Sequence, residues 1–146
     1  MGKETPKKSA WLFFTLYMAV MVVLLFLRVP REGHPYNLTP LATIRTCADL
    51  LRRSDPVALM HRRYAWVNLL GNVAVFVPLG IFLPHLFKSQ RNVLMFLMTV
   101  SLSICLIEGL QLLTRRGALD IDDLILNVPG ACLGWLLWKL WNRKSA

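Results

Sequence analysis

Charged residues are scarce in this chain, and the apolar residues that outnumber them are gathered into long runs. Only 17% of the 146 residues are Asp, Glu, Lys or Arg, against 55% hydrophobic residues, whereas soluble domains are about one quarter charged. A water-soluble core this small has no room for several runs of about 20 apolar residues, the length that spans a bilayer. The composition therefore excludes an ordinary soluble domain and predicts an integral membrane protein.

The motifs of common metal, redox and catalytic sites are absent as well. Cys47, Cys105 and Cys132 form no CxxC pair and no cluster with histidine, so neither a zinc site nor a disulfide framework is predicted. The chain has no HExxH motif, no glycine-rich phosphate loop and no Ser-His-Asp arrangement. We therefore predict no cofactor and favour a non-enzymatic role, with catalysis left open.

Acidic residues are few, since 8 Asp and Glu face 17 Lys and Arg and leave a net charge of +9. The basic residues stand at the ends of the apolar runs, where anionic lipid head groups are the simplest counter-charge. No basic face with interleaved aromatic residues occurs outside those runs, which argues against nucleic acid as a partner. Membrane lipids are the predicted partners.

Four apolar segments predict an all-α fold, an integral membrane four-helix bundle, in one domain over residues 9–141 that is preceded by a basic cytoplasmic tail (1–8) and followed by a second basic tail (142–146). At about 1.5 Å per residue each segment is long enough to cross the hydrocarbon core. The first is too long for a signal-peptide core and is expected to remain as an anchor. The predicted spans are about 9–29, 64–87, 92–113 and 121–141.

The first loop is the only long connection and predicts a short amphipathic helix lying in the interface. Thr39-Pro40 is typical of an N-cap followed by proline in the first turn. Asp55-Pro56 repeats this start signal and is expected to lead directly into the second span. Between these two start signals, apolar and charged residues recur on opposite faces at helical spacing. The apolar residues are Leu41, Ile44, Ala48 and Leu51, and the charged residues are Arg45, Asp49, Arg52 and Arg53.

Orientation has a weaker signal in the sequence. With the amino terminus inside, eight basic residues lie on the cytoplasmic side and nine on the other, so the charge counts show no bias. The basic tail directly before the first span favours an inside amino terminus, because the first helix often dominates. We therefore predict a multi-pass protein of the cell membrane with both termini in the cytoplasm.

Polar residues inside the spans gather at one end of the predicted bundle, the end that faces the long first loop. Antiparallel threading puts Asn72, Glu108 and Asn127 each roughly 9–12 Å from that end, so they can meet in one layer. An ionisable group at membrane depth is costly and by default marks a functional site. The candidate ligand-binding polar pocket consists of Asn68, Asn72, Glu108, Gln111, Arg116, Asp120, Asp122, Asp123 and Asn127.

Two other interpretations of this pocket stay open. It could be a structural clasp in which Glu108 pairs with Arg115 or Arg116 and the asparagines hydrogen-bond across helices. Alternatively, the carboxylates could hold a hard cation such as Mg²⁺ for phosphate chemistry, so whether the pocket holds a metal is left unknown. The histidines are poorly placed for such catalysis, since His34 and His61 lie in the loop and His85 at the opposite end.

Four stretches of the chain, in this order and spacing, resemble the VanZ-like family, which is named for a teicoplanin-resistance membrane protein. The resemblance covers roughly residues 10–141, and all the pocket residues fall on motif positions of the family. Leu41, where phenylalanine is usual, and Pro129, where a Thr-Leu pair usually follows Asn127, depart from its pattern. The stretches are YNLTPLATI (36–44), NLLGNVAVFVPLGIFLP (68–84), EGLQLL (108–113) and RRGALDIDDLILNVPGACLG (115–134).

The resemblance implies a role in teicoplanin or lipoglycopeptide resistance, or in cell-envelope homeostasis. The expected action is binding of an amphiphile at the outer leaflet, either a lipoglycopeptide or a lipid-linked wall precursor. Arg116 and the basic loop would meet its anionic head group, while Glu108 and the aspartates order the pocket. The alternatives are a membrane-embedded hydrolase or transferase acting on a lipid-linked phosphate, and a partner subunit of a wall-assembly complex.

Overall fold

The computed structural model describes residues 5–26, 36–114 and 119–143. The chain is almost entirely helical there, which confirms the predicted all-α membrane bundle. A 3₁₀ turn at Lys88–Arg91 separates the third helix from the fourth. The elements in chain order are α1 (Thr5–Phe26), β1 (Tyr36–Asn37), α2 (Ala42–Arg52), α3 (Pro56–Leu86), α4 (Val93–Leu113), β2 (Leu119–Asp120) and α5 (Ile121–Arg143).

The surface of the bundle is apolar, as a lipid-facing surface must be. On α4, side chains four residues apart (Leu94, Met98, Leu102 and Leu106) are 59–64% exposed. The opposite stripe of α4 is buried against the other helices, and it changes from apolar side chains (Phe96, Val100 and Ile104) to Glu108 and Gln111. By length and composition α3, α4 and α5 can each cross a membrane, whereas the apolar part of α1, Lys8–Leu24, is shorter.

Helix α3 is longer than a bilayer core is thick. Its 31 residues extend about 46 Å at 1.5 Å per residue, against a hydrocarbon thickness of about 30 Å. It begins at Pro56, eight residues before the predicted span at 64–87, because Asp55 caps it by accepting a hydrogen bond from the Ala58 N–H at 2.9 Å. That bond and the guanidinium of Arg53 at 3.0 Å lower the pKa of Asp55.

Helices α3 and α5 run parallel and pack backbone to backbone. A Cβ atom added to Gly134 would overlap the Val77 carbonyl and the Gly80 Cα, and one added to Gly130 would overlap the Val73 carbonyl. The GxxxG spacing of Gly130 and Gly134 therefore marks a close helix contact, as small residues do in membrane helices. Since α4 runs antiparallel to both, the start of α5 lies beside the middle of α3.

Helix α1 packs antiparallel on α3 through aromatic side chains. Trp11 contacts Phe87 edge to face at 5.4 Å between ring centroids, and the Tyr17 hydroxyl donates to the Val75 carbonyl at 2.8 Å. The start of α1, the end of α3 and the end of α5 therefore share one end of the bundle, which we call the termini end. The predicted limit of the first span at residue 29 lies outside the described residues.

Candidate functional site

A buried hydrogen-bonded layer joins α3, α4 and α5 at the end opposite the termini. The Asn72 Nδ2 donates to Asp123 Oδ1 at 2.6 Å, and the backbone N–H of Asp120 donates to Glu108 Oε2 at 3.0 Å. None of these four residues is more than 9% exposed. The carboxyl groups of Glu108, Asp120 and Asp123 lie close together, and neighbouring carboxylates repel unless donors or protons compensate. The two N–H donors supply part of that compensation.

Asp122 caps a helix that is distant in sequence. Its Oδ1 accepts from the Leu41 N–H and its Oδ2 from the Thr43 N–H, both at 2.6 Å. These N–H groups at the start of α2 have no partner within the helix itself, and a carboxylate is stabilised there by the helix dipole. Asp122 is only 1% exposed, and its own N–H donates to Asp120 Oδ1 at 3.0 Å.

The predicted N-cap at Thr39 is wrong. Helix α2 begins at Ala42, and the cap position is Leu41, which makes no side-chain cap hydrogen bond and has φ 63°. A left-handed backbone is unfavourable for leucine and costs on the order of 1–3 kcal/mol. The two bonds to Asp122 hold this strained residue in place, so the cap comes from another helix rather than from the local Thr-Pro pattern.

A short pairing of extended segments brings the first loop onto the start of α5. β1 and β2 pair in parallel, with Tyr36 opposite Leu119 and Asn37 opposite Asp120. The pairing places the residues that follow β1 beside Glu108 and the aspartates. The first loop is therefore part of the site and not only a connection.

The other end of α2 is held by α3. Arg62 donates from Nε to the Leu50 carbonyl at 2.7 Å and from Nη2 to the Leu51 carbonyl at 2.9 Å. The same Nη2 also bonds to the Arg53 carbonyl. These are the carbonyls that a helix leaves unpaired at its C-terminus, where a cation is favoured by the helix dipole. α2 is thus fixed by a carboxylate at one end and a guanidinium at the other.

A cavity of about 220 Å³ opens beside the polar layer, between α4, the start of α5 and the segment after β1. Its exposed walls are almost wholly apolar, and Glu108 and Asp120 border it with little of their polar surface exposed to it. The cavity is therefore an apolar pocket that lies directly beside the buried carboxylates. It is lined by Leu38, Ile104, Cys105, Glu108, Asp120, Ile121 and Leu124.

Gln111 follows Glu108 by about one turn of α4, and Asn127 follows Asp123 by about one turn of α5. Both side chains are buried, with 2% and 5% exposure. Within the described residues, the Oδ1 of Asn127 has no hydrogen-bond partner. A buried acceptor without a partner costs about 1–3 kcal/mol. Asn127 is therefore the residue of this layer that has a hydrogen-bond acceptor without a partner among the described residues.

The structure brings Asn72, Glu108, Asp120, Asp122 and Asp123 into one connected cluster. Arg116 and the side chain of Asn68 lie outside the described residues. The described residues contain no group of three His, Cys, Asp or Glu side chains that could hold a metal ion. Neither the role of Arg62 nor the apolar wall of the cavity was identified from the sequence. For Arg62 a signal was present, because an arginine that follows a predicted amphipathic helix can bond to the carbonyls at the end of that helix.

Glu108 gives a direct test of the layer. Glu108→Gln keeps an oxygen that can accept from the Asp120 N–H and is expected to leave the melting temperature (Tm) nearly unchanged. Glu108→Leu leaves that buried N–H without a partner and is expected to cost about 1–3 kcal/mol. Thermal unfolding of the purified variants measures both, and an unchanged Tm in Glu108→Leu would contradict the bonding role.

Comparisons with known proteins identify the family of this chain. The family model described as VanZ/LLP1 matches residues 14–142. Protein VanZ of Enterococcus faecium is 35% identical over 76 residues, which cover 52% of this chain and 47% of that relative. The match therefore spans about half the length of the relative, and no solved structure matches significantly. Since the family match covers most of the chain, the resemblance is confirmed: this membrane protein belongs to the VanZ/LLP1 family.

Proposed function

We propose that this protein binds the apolar part of an amphiphile at the outer leaflet and thereby contributes to teicoplanin or lipoglycopeptide resistance, or to cell-envelope homeostasis. The observation that carries the proposal is the 220 Å³ cavity, which has apolar walls and lies beside the buried polar layer. A pocket that is apolar with a few placed polar groups is typical of small-molecule sites. An amphiphile has the same division into an apolar and a polar part.

The size of the cavity suits one segment of a lipid tail and not a whole glycopeptide. Engineered apolar cavities of about 150 Å³ bind benzene, so the 220 Å³ here has room for part of an acyl chain. The head group would then remain outside, above α2. The basic side chains Arg45 and Arg52 are exposed there, and together with Arg116 they would attract an anionic lipid-linked wall precursor or a lipoglycopeptide.

The hydrogen bonds of the carboxylates support binding over catalysis. Both oxygens of Asp122 accept backbone N–H bonds, one oxygen of Asp123 accepts from Asn72, and one of Glu108 accepts from the Asp120 N–H. A general acid or base needs an oxygen that reaches the substrate. In this arrangement the carboxylates position α2 and the helices around the cavity.

The proposed topology has four membrane crossings, with both termini in the cytoplasm and the cavity facing outward. The antiparallel packing of α1 on α3, at Trp11 with Phe87, supports a shared side for the two termini. The 22 residues of α1 extend about 33 Å, of which the apolar stretch Lys8–Leu24 accounts for about 26 Å, close to the hydrocarbon thickness of about 30 Å. The basic amino-terminal tail supports the cytoplasmic side.

The proposal is tested by a substitution that fills the cavity with a larger side chain. Cys105→Phe adds an aromatic ring to the wall, and each methylene of a tail that it displaces loses about 0.8 kcal/mol of burial. We expect at least about tenfold weaker binding of teicoplanin to the purified protein and a lower teicoplanin resistance in cells. The matched control is Leu106→Phe, since Leu106 is 59% exposed and does not line the cavity.

Susceptibility to teicoplanin, and to a glycopeptide without a lipid tail, is compared in cells carrying no gene, the original gene or either variant. The original gene and the Leu106→Phe variant should protect against the tailed compound only. Equal protection by both variants would contradict cavity binding. Turnover of a lipid phosphate by the purified protein upon addition of Mg²⁺ would instead establish an enzyme.

A further inference from the structure

The two ends of the bundle differ sharply in charge. Within the described residues every acidic side chain (Asp49, Asp55, Glu108, Asp120, Asp122 and Asp123) lies at the end that holds α2 and the polar layer. The charged residues that the structure describes at the termini end are all basic, and none of them forms a salt bridge with a described residue. These basic residues are Lys8, Lys88, Arg91, Lys139 and Arg143.

Two of these cations lie on tryptophan rings of α5. The Arg91 guanidinium lies 5.6 Å from the centroid of Trp138, and the Lys139 ammonium lies 4.7 Å from that of Trp135. The Trp135 Nε1 donates to the Gln90 carbonyl at 3.0 Å, so both pairs belong to one cluster between the 3₁₀ turn and the end of α5. Such stacking fixes long cationic side chains that would otherwise be mobile.

The cluster contains hydrogen-bond donors that have no acceptor among the described residues. Arg91 uses its Nε on the Pro84 carbonyl at 3.3 Å, and its terminal N–H groups have no acceptor among the described residues. The Nε1–H of Trp138 is buried, and it too has no partner in the described part of the chain. The Oε1 of the neighbouring Gln90 is an acceptor that has no partner among the described residues and that a water molecule can satisfy, but no carboxylate from the described residues lies in the cluster. Hydrogen-bond donors that lack a neighbouring carboxylate among the described residues favour the binding of an anion.

We propose that Arg91, Trp138 and Lys139 form a binding site for the phosphate of an anionic phospholipid at the termini end of the bundle. Tryptophan is enriched at membrane–water interfaces, which places this cluster at head-group level. Basic pockets between membrane helices bind anionic head groups. The lipid is the occupant and not free phosphate, because its tails lie along the apolar faces of α4 and α5 beside the cluster, where Leu94 and Leu137 are exposed.

The test measures the apparent affinity of the full-length protein for phosphatidylglycerol, read from the rise in Tm as this lipid is added to detergent micelles. The double variant Arg91→Gln/Lys139→Gln is expected to bind about 30-fold more weakly (about 2 kcal/mol at 1.4 kcal/mol per tenfold). The control Lys88→Gln/Arg143→Gln removes the same charge at the same end, but neither of its residues is stacked on a ring in the described structure. It should retain most of the affinity.

Trp138→Phe keeps an aromatic ring beside Arg91 but removes the N–H together with the five-membered ring of the indole, and it should also weaken binding with only a small change of Tm in phosphatidylcholine. This variant keeps the test decisive even if the double variant folds poorly. Equal losses in the double variant and its control would show a diffuse charge effect and overturn the site. Stabilisation by inorganic phosphate as large as that by phosphatidylglycerol would overturn the assignment to a lipid.

Discussion

Replacing Asp122 by alanine is expected to release α2 and to raise the reactivity of Cys47 towards maleimide by about 100-fold. The substitution removes two hydrogen bonds to a charged acceptor, each of 2.6 Å. Hydrogen bonds to charged groups are worth about 1.5–3 kcal/mol each, so a loss of about 3 kcal/mol corresponds to two factors of ten. The strained backbone of Leu41 adds to the tendency to open.

Cys47 is a suitable reporter because it is the buried residue of α2, with 5% exposure. Burial raises the pKa of its thiol, so opening both exposes the sulfur and increases the reactive thiolate fraction. Labelling is measured in a background in which Cys105 and Cys132 are alanine. Asp49→Ala, on the exposed face of α2, is the control and should label at the original rate. Unchanged labelling in Asp122→Ala would refute the long-range cap.

Gly134→Ala is expected to destabilise the whole bundle. The added Cβ would overlap the Val77 carbonyl and approach the Gly80 Cα within 2.9 Å, and these backbone atoms cannot rotate away as a side chain can. The helices α3 and α5 must therefore separate. Overpacking of this kind costs about 1–3 kcal/mol, which is roughly 5–10 °C in Tm for a chain of this size.

The same substitution at two other glycines provides the comparison. A Cβ added to Gly71 or Gly109 meets nothing within 4 Å, and alanine is favoured over glycine within a helix by about 0.5–1 kcal/mol. Gly71→Ala and Gly109→Ala should therefore unfold at the original temperature or slightly above. If Gly134→Ala matched them in thermal unfolding, the close contact between α3 and α5 would not be the basis of packing.

Much of the fold follows from the sequence because helices in a membrane obey simple length and pattern rules. The runs that become α4 and α5 are predicted to within two residues at their described ends, since an apolar run and its flanking polar residues set both limits. The rise per residue also predicts Asn72, Glu108 and Asn127 at one level, whereas the partner of Asn72 in the structure is Asp123, one turn nearer the start of α5. Glu108 accepts from the Asp120 N–H, so both α3 and α4 are bonded to the start of α5.

The pairing within the site could not be predicted in the same way. Three of the carboxylates occur within four residues, and the partners of Asp122 are the backbone N–H groups of Leu41 and Thr43, which any residue type carries. The local pattern at Thr39-Pro40 indicated a cap that tertiary contacts then replaced. The cavity depends on side chains from three separate segments, so its shape is a property of packing and has no sequence signature.

The cap on α2 also has a consequence for the order of events during biosynthesis. The residues it joins are 79 and 81 positions apart. Ribosomes add about 5–20 residues per second, so α2 is made several seconds before the aspartate that completes its first turn. Throughout that interval α2 is held by its packing on α3 and by the bonds from Arg62. Insertion of the last helix therefore completes the polar layer, and a nascent chain that stops before Asp122 has an α2 without its cap.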